Sequence, residues 1–142
     1  MVATVSIAEQ SLALVEELHH RQSVMYAGGR VQPVLELLSP TVVWHVPGSS
    51  AIPGEHHGHD ALTTYFERRR RIATETMRMH PGQALTAPDL VVQLVDGTAT
   101  LGGEQAWWST VGVYQLDANH VAEVWLVPTD LAQFDRVWSS QV

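Results

Sequence analysis

Four long runs rich in β-forming residues fill the second half of the chain, and they restrict the possible folds more than any other feature. The segments between them, APD, GG and DAN, are typical of the turns that join hairpin strands. We therefore predict antiparallel strands over Met77–Thr86, Leu90–Leu101, Glu104–Leu116 and His120–Val127.

The first half of the chain has the pattern of an amphipathic helix. Ser6 and Glu9 form an S-x-x-E capping box, and the Gly28-Gly29 pair is typical of a helix end. Between them, a mostly apolar stripe repeats at steps of three and four residues and predicts one buried helix face, at Ala8, Leu12, Val15, Leu18, Gln22 and Met25.

The remaining segments complete a mixed pattern. We predict a short helix over about Val31–Leu38, a first strand over Val42–Val46, a third helix capped by Asp60 and a last helix over Asp130–Val137. Helices gathered on the concave side of a curved, cone-shaped antiparallel sheet make an α+β domain. We expect one domain over residues 1–142, with a conical apolar cavity as its ligand site.

Composition excludes several classes of function. The chain has 142 residues, no cysteine, 15 acidic residues and 8 arginines with no lysine, for a net charge of −7. Disulfides and thiolate chemistry are excluded, and a nucleic-acid partner is disfavoured. We see neither a signal peptide nor a membrane span and expect a cytoplasmic protein. The basic run Arg68–Arg71 is interpreted as solvated helix surface rather than a phosphate site.

A histidine-rich segment follows the first strand. His56, His57 and His59 lie beside Glu55, and imidazole and carboxylate groups are ligands for zinc and iron. Their spacing does not place two ligands on one helical face, and adjacent histidines in an extended loop diverge. We therefore favour a polar loop at the mouth of the cavity, including His56, and expect no metal and no cofactor.

Two segments, VVWHVPG…IPGEHHGHDALTTYF and HVAEVWLVPTDLAQF, together with the order of elements, carry a family resemblance. They resemble the nuclear transport factor 2-like superfamily, in particular its SnoaL-like polyketide cyclase and ketosteroid isomerase-like branch. The resemblance implies a cystatin-like α+β barrel, a homodimer, and a cavity for a small apolar or aromatic molecule of the polyketide or steroid type.

The catalytic residues of the isomerase are not found at the matching positions. Its aspartate base matches His45, its oxyanion-hole tyrosine falls near Arg21, and its protonated aspartate falls near Gly112. The Asp–Arg–Asp arrangement of limonene epoxide hydrolase also lacks support. The acid of SnoaL-like cyclases matches a position one residue before Asp130.

His45 and Asp130 are the two catalytic candidates. The resemblance turns the face of Val43 and His45 toward the cavity, where an imidazole could act as general base; the alternative is a structural core histidine. Asp130 could act as an acid or base, but its D-x-x-Q spacing to Gln133 also fits a helix cap.

Aromatic residues on the long strands suggest a binding surface. The resemblance implies that Trp108, Thr110 and Tyr114 face the cavity, with Tyr65 beside them and Tyr26 as a possible phenol donor. Glu123 and Trp125 then lie on the outer face of the sheet. Core packing would explain the same aromatic residues equally well. For the outer face we predict a homodimer contact through Trp107, Val111, Val113 and Trp125.

Two functions remain open from the sequence. The first is a cofactor-free isomerase, lyase (dehydratase) or cyclase that uses His45 as base, with Tyr26, Tyr65 or Tyr114 holding the oxyanion. The second is a non-catalytic module of the same fold that binds a small ligand or a protein.

Overall fold

The computed structural model describes residues 6–50 and 52–139 and confirms the α+β class. No helix in these ranges is long and apolar enough to cross a membrane. In chain order the elements are α1 Ile7–Tyr26, α2 Gln32–Leu35, β1 Leu38–Val46, β2 Gly54–His57, α3 Gly58–Ile72, β3 Arg78–Ala87, β4 Leu90–Leu101, β5 Glu104–Asp117, β6 His120–Pro128 and α4 Leu131–Ser139.

The strands form one curved, open sheet in the order β2-β1-β6-β5-β4-β3. The strands β3 to β6 pair antiparallel, as their hairpin turns predicted, and their ends lie within one residue of the predicted ones. One pair departs from an all-antiparallel sheet, because β1 runs parallel to β6. Between β1 and β6, the helix α3 carries the chain from β2 at one edge of the sheet to β3 at the other, and this long connection allows the parallel pairing.

The three longer helices pack against the same face of the sheet, which we call the inner face. On α1, His19 contacts Tyr114 of β5, and the α3 residue Phe66 meets Trp44 of β1 edge to face. On α4, Trp138 packs on Trp108 of β5 in the same geometry. The predicted helix start is also confirmed, since the Glu9 backbone N–H donates to the Ser6 hydroxyl at 3.1 Å.

Four local predictions were wrong. The second helix ends at Leu35 instead of Leu38, and the first strand begins at Leu38 instead of Val42, because Leu38 already pairs with Val121 in the sheet and is buried there. The segment Gly54–His57, predicted as loop, forms the edge strand β2. The helix α3 begins at Gly58, where the backbone turns with a φ of +81°, so Asp60 lies in the first turn and does not cap the helix.

Candidate functional site

A small cavity lies between the helices and the inner face, with a volume of ≈ 30 Å³. The structure places Trp108, Thr110 and Tyr114 on its wall, as the resemblance implied; their role in binding stays a prediction. Gln22 of α1, Trp44 of β1 and Arg69 of α3 complete its polar lining. This space holds about one water-sized group, which is much less than a conical cavity for a whole ligand molecule, as expected from the sequence, would need.

The cavity is small because aromatic side chains fill most of the space between the helices and the inner face. Trp108 lies over Gly97 of the neighbouring strand, and Tyr114 lies over Gly112 of its own strand; a Cβ atom at either glycine would overlap these rings. Phe134 of α4 also forms part of the cavity wall. The inner face is therefore closed by rings that depend on glycines for their positions.

Arg69 is the least expected residue of this site. Its side chain is only 5% exposed, so the interpretation of the whole Arg68–Arg71 run as solvated surface is wrong at this position. The helical spacing contains the signal, because Arg69 lies three and four residues after the buried Phe66 and Tyr65. The buried side chains of α3 thus include a cation.

Aromatic rings surround the Arg69 guanidinium. It donates to the Tyr65 hydroxyl at 3.0 Å, and its carbon lies 4.4 Å from the ring centroid of Trp138 and 5.7 Å from that of Tyr26. Burial raises the pKa of Tyr26 and of Tyr65, and the charge of Arg69 opposes part of each rise. Both phenols are therefore neutral near pH 7 and supply no countercharge.

Several buried polar atoms around the cavity have no partner in hydrogen-bond geometry within the described ranges. On the cavity wall these atoms are Arg69 Nε, Trp44 Nε1 and Gln22 Oε1. Beside Arg69, the Tyr26 hydroxyl and Trp138 Nε1 are in the same condition. Most of these groups are hydrogen-bond donors, so the site is rich in donors as well as positively charged.

A buried histidine that sequence reasoning missed contacts the cavity wall from behind. His19 Nε2 lies 2.9 Å from the Tyr114 hydroxyl, and His19 Nδ1 has no partner among the described residues. Burial lowers the pKa of His19 to about 4, so its imidazole is neutral at pH 7. The signal was its position beside Leu18 and four residues after Val15 on the buried stripe of α1.

The predicted orientation of β1 is wrong. Val42, Trp44 and Val46 are buried on the inner face, so His45 lies on the outer face. There His45 Nε2 lies 2.6 Å from a carboxylate oxygen of Glu123, and its ring stacks on Trp125 with centroids 5.2 Å apart. The three apolar side chains gain more from burial than an imidazole, which explains the choice of face.

The histidines of the following segment have separate partners. His56 donates to the Ile52 carbonyl at 3.2 Å and packs on Tyr65 with ring centroids 4.5 Å apart, although it does not line the cavity. His59 donates to the Leu38 carbonyl at 3.0 Å. His57 lies 3.4 Å from Glu55 at the surface. Within residues 6–50 and 52–139, no three such side chains are grouped to hold a metal ion.

Asp130 caps the last helix. Its carboxylate accepts the Gln133 backbone N–H at 3.0 Å, and its side chain is exposed outside the cavity wall. The capping interpretation is therefore confirmed, and α4 begins at the next residue, Leu131. The catalytic interpretation stays a prediction without a contact to the cavity.

Known families and structures match the chain over most of its length. The family profile described as the SnoaL-like domain matches residues 15–124. No curated protein matches the chain. Among solved structures, Bal32a from a soil-derived mobile gene cassette is 25% identical with a TM-score of 0.82, and the match covers 94% of this chain and 99% of that chain.

Two further solved structures share the fold at lower identity. TerC, co-crystallised with polyporic acid, is 15% identical with a TM-score of 0.78, covering 90% of this chain and 97% of that chain. A protein from Jannaschia sp. CCS1, named as a SnoaL-like polyketide cyclase, is also 15% identical, with a TM-score of 0.72 and 99% coverage of both chains. The family profile over residues 15–124, together with the shared fold of these structures, confirms the superfamily that the sequence motifs suggested.

Proposed function

The chain belongs to the SnoaL-like domain family, and we propose that it binds a small, largely apolar molecule of the polyketide or steroid type in the inner-face cavity. The observation that carries this proposal is the set of unpaired polar atoms on Arg69, Trp44 and Gln22 at the cavity wall. Each unpaired buried group costs about 1–3 kcal/mol, and a ligand with matching groups would recover this free energy. TerC was crystallised with polyporic acid, which supports a small-molecule site in this fold.

A ligand larger than one polar group requires the cavity to widen. The helix α4 is the element we propose to move, because its Phe134 fills the wall and its Trp138 covers Arg69. A hydrogen bond of 3.0 Å from the Ser49 backbone N–H to Asp135 fixes α4 to the loop after β1. Ligand entry would break this surface contact while the sheet keeps its shape.

Proton transfer is the chemistry we assign to the pair of Tyr114 and His19. Burial raises the pKa of Tyr114, so its hydroxyl keeps its proton near pH 7. In an isomerisation, the Tyr114 oxygen takes a proton from one carbon of the ligand while its own proton passes to Nε2 of the neutral His19, which leaves the ligand as an enolate. The reverse transfer returns a proton to another carbon of the same molecule. The neutral His19 ring holds the phenol at 2.9 Å and orients it.

Binding without catalysis is the second candidate. The cavity wall includes neither a carboxylate nor an imidazole within the described part of the chain, so no strong base contacts the cavity directly. This observation favours a carrier or sensor of the same ligand class.

Deuterium exchange separates the two candidates without knowledge of the product. Polyketide-like and steroid-like ketones are first tested for binding through tryptophan fluorescence, and those that bind are incubated in D₂O and followed by NMR. A proton-transfer enzyme exchanges ligand C–H for C–D, and Tyr114→Phe slows this exchange by about a hundredfold or more while binding persists. Binding with exchange at the background rate supports the carrier, and failure of every ketone to bind contradicts the ligand site.

A further inference from the structure

We propose that the group recognised at Arg69 is an anionic oxygen, a carboxylate or an enolate, carried by the small molecule. This inference rests on the proposed function and adds the chemical class of the ligand. Its starting observation is that the guanidinium of Arg69 is a buried positive charge without a countercharge. Arginine stays protonated in proteins, so burial does not remove this charge.

The chain itself supplies no anion to this cation. All 15 acidic side chains lie within the described ranges, and the ion pairs they form involve Glu17, Glu55 and Glu123. None of these pairs includes Arg69. Burying an unpaired ion has one of the largest free-energy costs in a folded protein. A partner of opposite charge normally offsets this cost.

The aromatic surroundings offset only part of this cost. Ring faces at 4.4 Å and 5.5 Å from the guanidinium carbon, those of Trp138 and Tyr65, attract it through cation–π interactions. The rings carry no net charge, so these contacts do not neutralise the guanidinium. A water molecule in the cavity would satisfy a donor, but it would also leave the charge uncompensated.

The unpaired donors indicate which kind of ligand atom the site would bind. Arg69 Nε–H and Trp44 Nε1–H both belong to residues of the cavity wall and have no partner in hydrogen-bond geometry. An anionic oxygen accepts from both, and charge-assisted hydrogen bonds of this kind are about twice as strong as neutral ones. The ≈ 30 Å³ of space accommodates the charged end, while the apolar body of the ligand displaces side chains of α4.

Matched pairs of probes test the inference. Benzoate is compared with benzamide, and 2-naphthoate with 2-naphthamide, by tryptophan fluorescence and calorimetry at pH 7. Each pair has nearly the same shape and differs in charge. We expect the wild-type protein to bind the carboxylate at least about tenfold more tightly, a ratio that corresponds to one charge-assisted hydrogen bond.

Two variants locate the charge. Arg69→Gln keeps a donor for the Tyr65 hydroxyl and should remove the preference for carboxylate, whereas Arg68→Gln, one residue earlier and exposed, should retain it. Equal binding of acid and amide to the wild type would overturn the anion inference and leave the cavity as a ligand site. Binding of neither class would overturn both, and a preference that survives Arg69→Gln would overturn the assignment to Arg69.

Stability of the ligand-free protein gives an independent test. If Arg69 is kept for a ligand, Arg69→Met should melt no lower than about 3 °C below the wild type, because an apolar side chain removes the buried charge. A much larger fall in melting temperature would show that Arg69 stabilises the fold, and it would overturn the inference.

Discussion

His45 Nε2 lies 2.6 Å from a carboxylate oxygen of Glu123, and both side chains are on the face of the sheet turned away from the helices. The pair joins the parallel strands β1 and β6 beside Trp125. This placement separates His45 from the cavity by the thickness of the sheet. A catalytic role for His45 would therefore require chemistry on the outer face.

We predict that His45→Asn leaves ligand affinity and any turnover per folded molecule unchanged. The two side chains are partly exposed, so loss of their interaction should lower the free energy of unfolding by only about 1 kcal/mol or less. Urea unfolding and the ligand titration measure the two effects, with Glu123→Gln as the matched change on the partner. A tenfold loss of turnover in His45→Asn would restore His45 as a catalytic candidate.

The glycine under Trp108 provides a prediction about packing. A Cβ atom at position 97 would overlap the Trp108 ring, so Gly97→Ala should lower the free energy of unfolding by about 1–3 kcal/mol. Gly82 on the neighbouring strand β3 is the control, because the Cβ atom of an alanine there would make only ordinary contacts with Leu94. Equal stability of the two alanine variants would show that Trp108 does not depend on Gly97 for its position.

The buried His19 predicts how stability depends on pH. Its pKa is about 4 in the folded protein and 6.5 in the unfolded chain, so the unfolded chain binds more protons between these values. The contribution of His19 is complete above pH 6.5 and is lost as the pH falls toward 4. At 1.36 kcal/mol per pKa unit, the loss approaches roughly 3 kcal/mol.

Two histidine variants isolate this contribution in urea unfolding at pH 7 and pH 5. His19→Gln should flatten the pH dependence, and the exposed neighbour His20→Gln should leave it as in the wild type. Burial also lowers the pKa of His56, so the comparison is repeated in a His56→Gln background. An unchanged slope in His19→Gln would contradict the assignment of a buried, neutral His19.

The outer face predicts an oligomer. Trp107 is 61% exposed, and Val111, Val113 and Trp125 continue the apolar surface on the same side of the sheet. We expect a homodimer through this face, because an exposed apolar patch of this kind marks an interface. Sedimentation velocity at micromolar concentration should detect it, and Val111→Glu should produce monomers.

The control for this experiment is Ile7→Glu on α1. Ile7 is also exposed, but it lies on the helical side of the molecule, so its variant should remain dimeric. A monomeric wild type, or equal dissociation by both substitutions, would argue against the outer-face dimer.

Strand positions were predictable from sequence because they depend on local pattern. Long runs between turn signals fixed β3 to β6 within one residue at each end. The short edge strand β2 was missed because its residues pair with β1 without any hydrophobic alternation of their own. Its four residues are stabilised by a partner that local pattern does not reveal.

The orientation of β1 and the burial of Arg69 depended on which side chains the tertiary structure buries, and local sequence pattern does not determine this. Alternation correctly divided Val43 and His45 from Trp44, but the choice of inner face followed from the burial of Val42, Trp44 and Val46. Arg69 had the helical spacing of a core residue, yet its chemistry suggested solvent. Such a conflict between position and residue type is expected at a functional site.

The five tryptophans of the chain give the most direct measurement of where the ligand binds. Trp44, Trp108 and Trp138 are buried on the inner side, whereas Trp107 and Trp125 lie on the outer face. Their indole N–H signals in a ¹H–¹⁵N NMR spectrum are assigned by single Trp→Phe variants and followed during titration with the tightest-binding carboxylate. Our account predicts shifts of the three inner signals with the outer two unchanged. Shifts confined to Trp107 and Trp125 would contradict it.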